Sequence, residues 1–228
     1  MSERSPPDAY EGTRIEMAAL ALAGGMVFLA GVTDVYGLSR LRYLFVSFMS
    51  GNTTSLGVAI GSGDGGRAAT AALLIALFVV GAAVGTVLAE WSGSWHSAVV
   101  MAAVTVLLTI AAAFPSLSLH SVVLAMGALN AAFSRIGVTS VSLTYVTGAL
   151  VKFGQGVGRL IIGRGRGDWS WTVQGVMWLC LLAGAVVARC AQARLGGREV
   201  WALAGLAALL TWAAVSGPRP TFQRRQYR

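Results

Sequence analysis

Charge is what this sequence has least of. Asp, Glu, Lys and Arg together make up 11% of its 228 residues, against roughly a quarter in soluble domains. So few charges cannot cover a water-facing surface, which excludes an ordinary soluble globular protein. Histidine and cysteine are scarce as well, two of each. His96 and His120 have no neighbouring ligand at metal-binding spacing, so no metal is expected. Cys180 and Cys190 stand about 15 Å apart if their segment is helical, too far for a disulfide. No Gly-x-Ser-x-Gly, His-Glu-x-x-His or phosphate loop occurs, so neither an enzyme motif nor a cofactor is implied. Residues 1–14 lack the basic region, apolar core and cleavage site of a signal peptide. They mix both charge signs with Pro and Gly and read as a short disordered tail.

Apolar residues take the place of charge. They account for 56% of the chain, with a mean hydropathy of +0.70. Apolar stretches lie at about 15–37, 43–62, 68–90, 97–114, 119–134, 137–162, 172–193 and 198–216. A bilayer core of about 30 Å takes roughly 20 such residues per helix, and lipid tolerates no unpaired backbone. The fold class is therefore an all-α integral membrane protein of seven to eight transmembrane segments. Pro115 breaks the run 97–134, which reads as two short helices rather than one. The bundle occupies residues 15–216, and residues 217–228 form a basic tail.

The formal net charge of +8 does not indicate nucleic acid. The arginines lie between apolar segments and in the tail (Arg164, Arg166, Arg219, Arg224, Arg225, Arg228), not on one soluble face. Their placement follows the positive-inside rule. Eight passes with both termini cytoplasmic put the tail and 163–168 inside, and Arg40, Arg42, Arg189, Arg194 and Arg198 outside. Trp91, Trp95, Trp169 and Trp171 stand at segment ends, as interfacial anchors do.

The two halves of the chain resemble each other. Ser47-Phe48-Met49-Ser50-Gly51 matches Thr144-Tyr145-Val146-Thr147-Gly148, hydroxyl for hydroxyl and Gly for Gly. Leu56-Gly57 matches Phe153-Gly154, and Gly61 matches Gly158. With one residue of slippage, Gly31–Asp34 matches Gly127–Asn130. Gly81-xxx-Gly85 is echoed by Gly184-xxx-Ala188. Two internal repeats result, about 15–114 and about 119–216. Transporters are commonly built from such repeats, with the ligand held near the midplane where they meet. Four spanning segments per repeat make the halves parallel; one re-entrant segment in each makes them inverted.

The run GVTDVYGLSRLRYLFVSFMSGNTTSLGVAIG, with the later GALNAAFSR and TYVTGALVKFGQ, resembles the YoaK-type family. That is a family of small multi-pass bacterial membrane proteins known chiefly as a domain of unknown function. The resemblance covers roughly residues 15–215. It rests on Asp34 ending the first helix, Phe48–Asn52, and Asn130 followed by Thr144–Gly148. It implies an inner-membrane location and no established activity.

Six residues are candidates for binding a substrate: Asp34, Ser50, Asn52, Asn130, Thr147 and Lys152. Asp34 is the one acid well inside the repeated motif region, and a mid-bilayer charge costs roughly 2.5–3.5 kcal/mol. Such a residue faces a cavity or a partner, or pairs near the interface with Arg40 or Arg42. Lys152 is the only lysine in the chain, and an Asp34–Lys152 pair across the repeats is the sharpest expectation. Lys152 snorkelling to the interface is the alternative. Ser50, Asn52 and Thr147 carry donors and acceptors that lipid would waste. Gly51, Gly81, Gly85, Gly148 and Gly184 read as helix-packing glycines.

Three functions follow. The first is a small transporter or channel for a small polar solute or ion, working within the lipid bilayer and in reach of homo-oligomeric assembly. The second is a non-catalytic scaffold or lipid-binding subunit. The third is an intramembrane hydrolase using Ser50, for which neither histidine offers a nearby base.

Overall fold

The computed structural model describes residues 6–41, 44–133, 146–164 and 170–217, and every regular element among them is helical. In chain order these are α1 (Pro6–Leu41), α2 (Met49–Gly61), α3 (Gly65–Ser92), α4 (His96–Ala113), α5 (Ser118–Phe133), α6 (Val146–Ile161), α7 (Ser170–Leu195) and α8 (Glu199–Ser216). Four helical runs are long and apolar enough to cross a membrane: Met17–Leu41, Gly65–Ala113, Ser170–Leu195 and Glu199–Ser216. The second of these holds both α3 and α4. Ser118–Ala131 is a shorter apolar helix.

The helix boundaries follow local chemistry. Asp64 caps α3, its Oδ1 accepting the Arg67 N–H at 2.9 Å. Gly93, at φ +54°, turns the chain out of α3 in a left-handed conformation that a side chain would strain. Pro115 separates α4 from α5, as its missing N–H and ring demand.

Two boundaries differ from the sequence reading. Helix α1 begins at Pro6, inside the stretch expected to be a disordered tail, because proline is tolerated in a helix's first turn. The apolar segment 43–62 is helical only over Met49–Gly61, and Leu44–Phe48 carries no helix. Of the segment 137–162, Val146–Ile161 is helical, and its earlier residues, Arg166, Trp169 and the basic tail lie outside the described residues.

Contacts between helices fix their relative directions. Thr33 Oγ1 on α1 donates to Met126 Sδ on α5 at 3.1 Å, and the Tyr36 hydroxyl bonds Ser118 Oγ at 2.8 Å. Advancing along α1 therefore means retreating along α5, and the two are antiparallel. Gly81 and Gly85 of α3 lie on the backbone of Leu124 and Ala128 of α5, so α3 and α5 run the same way. Gly24 and Phe28 of α1 face Cys180 and Gly184 of α7, so these two also run the same way. Ala18 and Leu22 share a cavity of about 320 Å³ with Ala213 and Gly217 at the end of α8. Val32 and Tyr36 share one of about 150 Å³ with Glu199 and Leu203 at its start. Helix α8 is thus antiparallel to α1. The first of these cavities also holds His96, at the start of α4, so α4 and α8 are antiparallel. Thr105 Oγ1 and Thr211 Oγ1 bond at 2.9 Å midway along that pair.

Helix backbones touch at glycines. A Cβ on Gly81, Gly127, Gly31 or Gly184 would overlap a backbone carbonyl, of Leu124, Phe78, Leu181 and Phe28 respectively. Lipid gives no hydrophobic drive between helices, so close backbone approach and dispersion hold such pairs together. Met26, Leu29, Met101, Leu108, Met126 and Leu203 are fully buried in the core. The outer faces remain apolar, with Val80, Val84, Leu179, Val186, Leu209 and Trp212 exposed. Trp91, at 84% exposure, stands at the end of α3, where an interfacial anchor belongs.

Candidate functional site

The non-helical segment Leu44–Phe48 is where the architecture departs from plain spans. Its residues are apolar or hydroxylic, and Leu44, Val46 and Ser47 are buried. Backbone N–H and C=O groups that leave a helix inside a membrane must find partners in the protein. Two side chains provide them. Asp34 Oδ1 accepts the N–H groups of Val46 at 3.0 Å and Ser47 at 2.8 Å, and Oδ2 accepts the Ser47 hydroxyl at 2.6 Å. Asn52, in the first turn of α2, accepts the Phe45 N–H at 2.8 Å and donates from Nδ2 to the Phe45 carbonyl at 2.7 Å.

Asp34 sits about 10 Å short of the end of α1 at 1.5 Å per residue. The chain leaving α1 therefore doubles back along it before α2 begins. Gly37 permits this: a Cβ there would stand 2.8 Å from Val46 Cγ1 and 3.3 Å from its nitrogen. The rings of Phe45 and Phe48 meet edge to face at 5.3 Å and 85°. They close over Gly51, where a Cβ would come within 2.7 Å of Phe48. Gly51 thus serves ring packing rather than helix packing. Gly81, Gly85 and Gly184 lie against the backbone of a neighbouring helix, and Gly148 is buried on α6.

The expected Asp34–Lys152 pair does not form. The partners of Asp34 are the backbone and hydroxyl just named, and Lys152 is half-buried on α6, which packs against α7. Nor does Asp34 meet Arg40, whose guanidinium lies 5.5 Å over the Tyr36 ring. Ser50 and Thr147 are exposed at the starts of α2 and α6. Asn130, half-buried on α5, donates from Nδ2 to the Met126 carbonyl at 2.9 Å. The structure thus brings Asp34 and Asn52 to one segment and leaves Lys152 on another helix. Sequence reasoning missed Ser47 and Gly37 as parts of this arrangement. The Ser47–Thr144 hydroxyl match was the one signal that pointed to Ser47.

A helical bundle with apolar outer faces, several membrane-length helices and a polar-stitched break defines a multi-pass α-helical membrane protein. Residues 22–215 match the family described as "Protein of unknown function (DUF1275)", and the chain belongs to that family. It is 36% identical over 206 residues to a UPF0700 transmembrane protein of Rhizobium meliloti (strain 1021), covering 90% of each chain. No solved structure matches.

Proposed function

We propose that this chain is a small transporter or channel that binds a small polar solute or ion where its two halves meet. The observation that carries the reading is the broken segment Leu44–Phe48, buried beside Asp34 well inside α1. Non-helical backbone at membrane depth is tolerated where it is buried in protein or lines a water-filled cavity, and transporters use such breaks to hold solutes. Asp34 and Asn52 act as positioning residues in this reading, since their polar atoms are taken up by the chain. The exposed hydroxyls of Ser50 and Thr147 and the amide of Asn130 remain candidates for touching the solute, with Lys152 contributing charge from α6.

The halves belong to the same proposal as internal repeats. Gly31 on Leu181 and Gly127 on Phe78 occupy matching places, as do Gly184 on Phe28 and Gly81 on Leu124. Each glycine matches its counterpart in the sequence comparison of the halves, which supports a common origin. Location in a bacterial inner membrane with cytoplasmic termini is also part of the proposal, supported by the arginines of the tail and of 163–168.

A membrane scaffold or lipid-binding subunit is the second reading. It is favoured by the engagement of Asp34 and Asn52 in purely internal hydrogen bonds. The test is a thermal-shift screen of detergent-purified protein against ions, amino acids, nucleobases and small carboxylates. Flux of any hit is then measured in proteoliposomes. A ligand at about 100 times its dissociation constant adds roughly 2.7 kcal/mol. The proposal expects such a shift in wild type, reduced in Ser50→Ala or Lys152→Gln, together with flux. Stabilisation without flux, or no shift across the panel, overturns it in favour of the scaffold.

A further inference from the structure

We infer that the described helices cross the membrane six times, not eight, and that α2 is a half-helix which enters and leaves by one face. The helix directions form a closed circuit. Helix α1 is antiparallel to α5 through Thr33–Met126 and Tyr36–Ser118. Helix α3 runs parallel to α5 through Gly81–Leu124 and Gly85–Ala128. Consequently α1 and α3 are antiparallel, and the end of α1 lies at the same face as the start of α3. A full crossing between them would place those ends on opposite faces.

The length of α2 agrees. Its 13 residues span about 20 Å, short of a core of about 30 Å. Leu44–Phe48 descends beside α1 to the level of Asp34, and α2 climbs back to the turn at Gly63, packing on α3.

The second half gives the mirror result. Helix α7 runs parallel to α1 through Gly24–Cys180 and Phe28–Gly184, hence antiparallel to α5. The end of α5 and the start of α7 share a face, and it is the face opposite to that of α2. Helix α6 lies in the stretch between them. The halves are therefore inverted with respect to each other. Helices α4 and α8, equivalent elements of the two halves, are antiparallel for the same reason.

The topology separates two faces. Ser62 and Ser116 fall on one; Ser94, Arg164 and both ends of the bundle fall on the other. Eight crossings would instead group Arg164 with Ser62 and Ser116 and isolate Ser94. For the transporter reading, on which this last point rests, inversion would let one central site open to either face by exchanging the roles of the two halves.

The experiment uses the full chain with Cys180→Ser and Cys190→Ser, carrying one of Ser62→Cys, Ser94→Cys, Ser116→Cys or Arg164→Cys. Intact cells are labelled with a membrane-impermeant maleimide, then again after permeabilisation. Ser62→Cys and Ser116→Cys are expected to label in intact cells, and Ser94→Cys and Arg164→Cys only after permeabilisation. Grouping of Arg164→Cys with Ser62→Cys and Ser116→Cys overturns the inference, as does a mixed orientation. A protease-cleavable tag at the C-terminus gives an independent reading that needs no internal substitution. It must share the face of Ser94. Labelling requires no solute, so a failed flux assay would leave this result standing.

Discussion

Asn52 binds the backbone of Phe45 twice, accepting its N–H at Oδ1 and donating to its carbonyl from Nδ2. The amide imitates a neighbouring peptide group, giving a non-helical residue both of its missing partners. Asn52 is fully buried, so no water can replace it. Asn52→Ala should therefore orphan the part-buried N–H and C=O of Phe45, each loss costing up to about 1–3 kcal/mol. Asn52→Asp restores only the acceptor and adds a charge, and should be no better. Thermal melts in detergent check both. An Asn52→Ala protein as stable as wild type would mean the segment finds other partners.

Asp34 and Ser47 should be strongly coupled. Their hydroxyl–carboxylate bond is 2.6 Å, and neighbours in one network show interaction energies of about 0.5–3 kcal/mol. A double-mutant cycle on Asp34→Asn and Ser47→Ala should fall in that range. The same cycle on Asp34→Asn and Lys152→Gln should be additive. Coupling in the second cycle and none in the first would reverse the assignment.

Gly81 and Gly184 touch the backbone of Leu124 and Phe28, so Val at either position has nowhere to go. Loss of monodisperse protein is expected from Gly81→Val and Gly184→Val. Gly57 has open space around it in mid-helix, and Gly57→Ala should stabilise by about 0.5–1 kcal/mol. Size-exclusion profiles and melting temperatures separate the two outcomes.

Thr105 and Thr211 share a 2.9 Å bond between α4 and α8, but each hydroxyl also bonds a carbonyl of its own helix. The pair should be worth little, on the order of 0.6 kcal/mol as is usual between membrane helices. Thr105→Val and Thr211→Val, measured singly and together, should show a coupling no larger than about 1.7 kcal/mol.

Most of the fold can be read from the sequence because length and apolarity delimit membrane helices well. Pro115 marks its break, and Trp91 its end of α3, for reasons visible in the residues themselves. The course of 43–62 cannot be read in the same way. A largely apolar stretch of this length spells a crossing whether the chain runs straight through or folds back on itself. What separates the two is the pairing of α1 with α5 and of α5 with α3, which no single segment contains. Asp34 was similarly half-legible. Its burial follows from its position, but opposite charge suggested Lys152 as partner. The actual partners are peptide groups, and these look alike at every residue. Asn52 stands out in the sequence, whereas its role depends on Phe45 having left the helix.

The glycine contacts carry one more consequence. Where α1 meets α7 and α3 meets α5, backbone lies on backbone at the glycines, and at these points no rotamer can adjust to let the helices slide. The seam between α1 and α5 is different: it is bridged by the thioether of Met126 and by hydroxyls. A thioether is soft and adaptable, and hydroxyls rotate to new partners. Two stiff helix pairs thus meet along a seam whose side chains can exchange partners, with α4 and α8 bridging the pairs beside it.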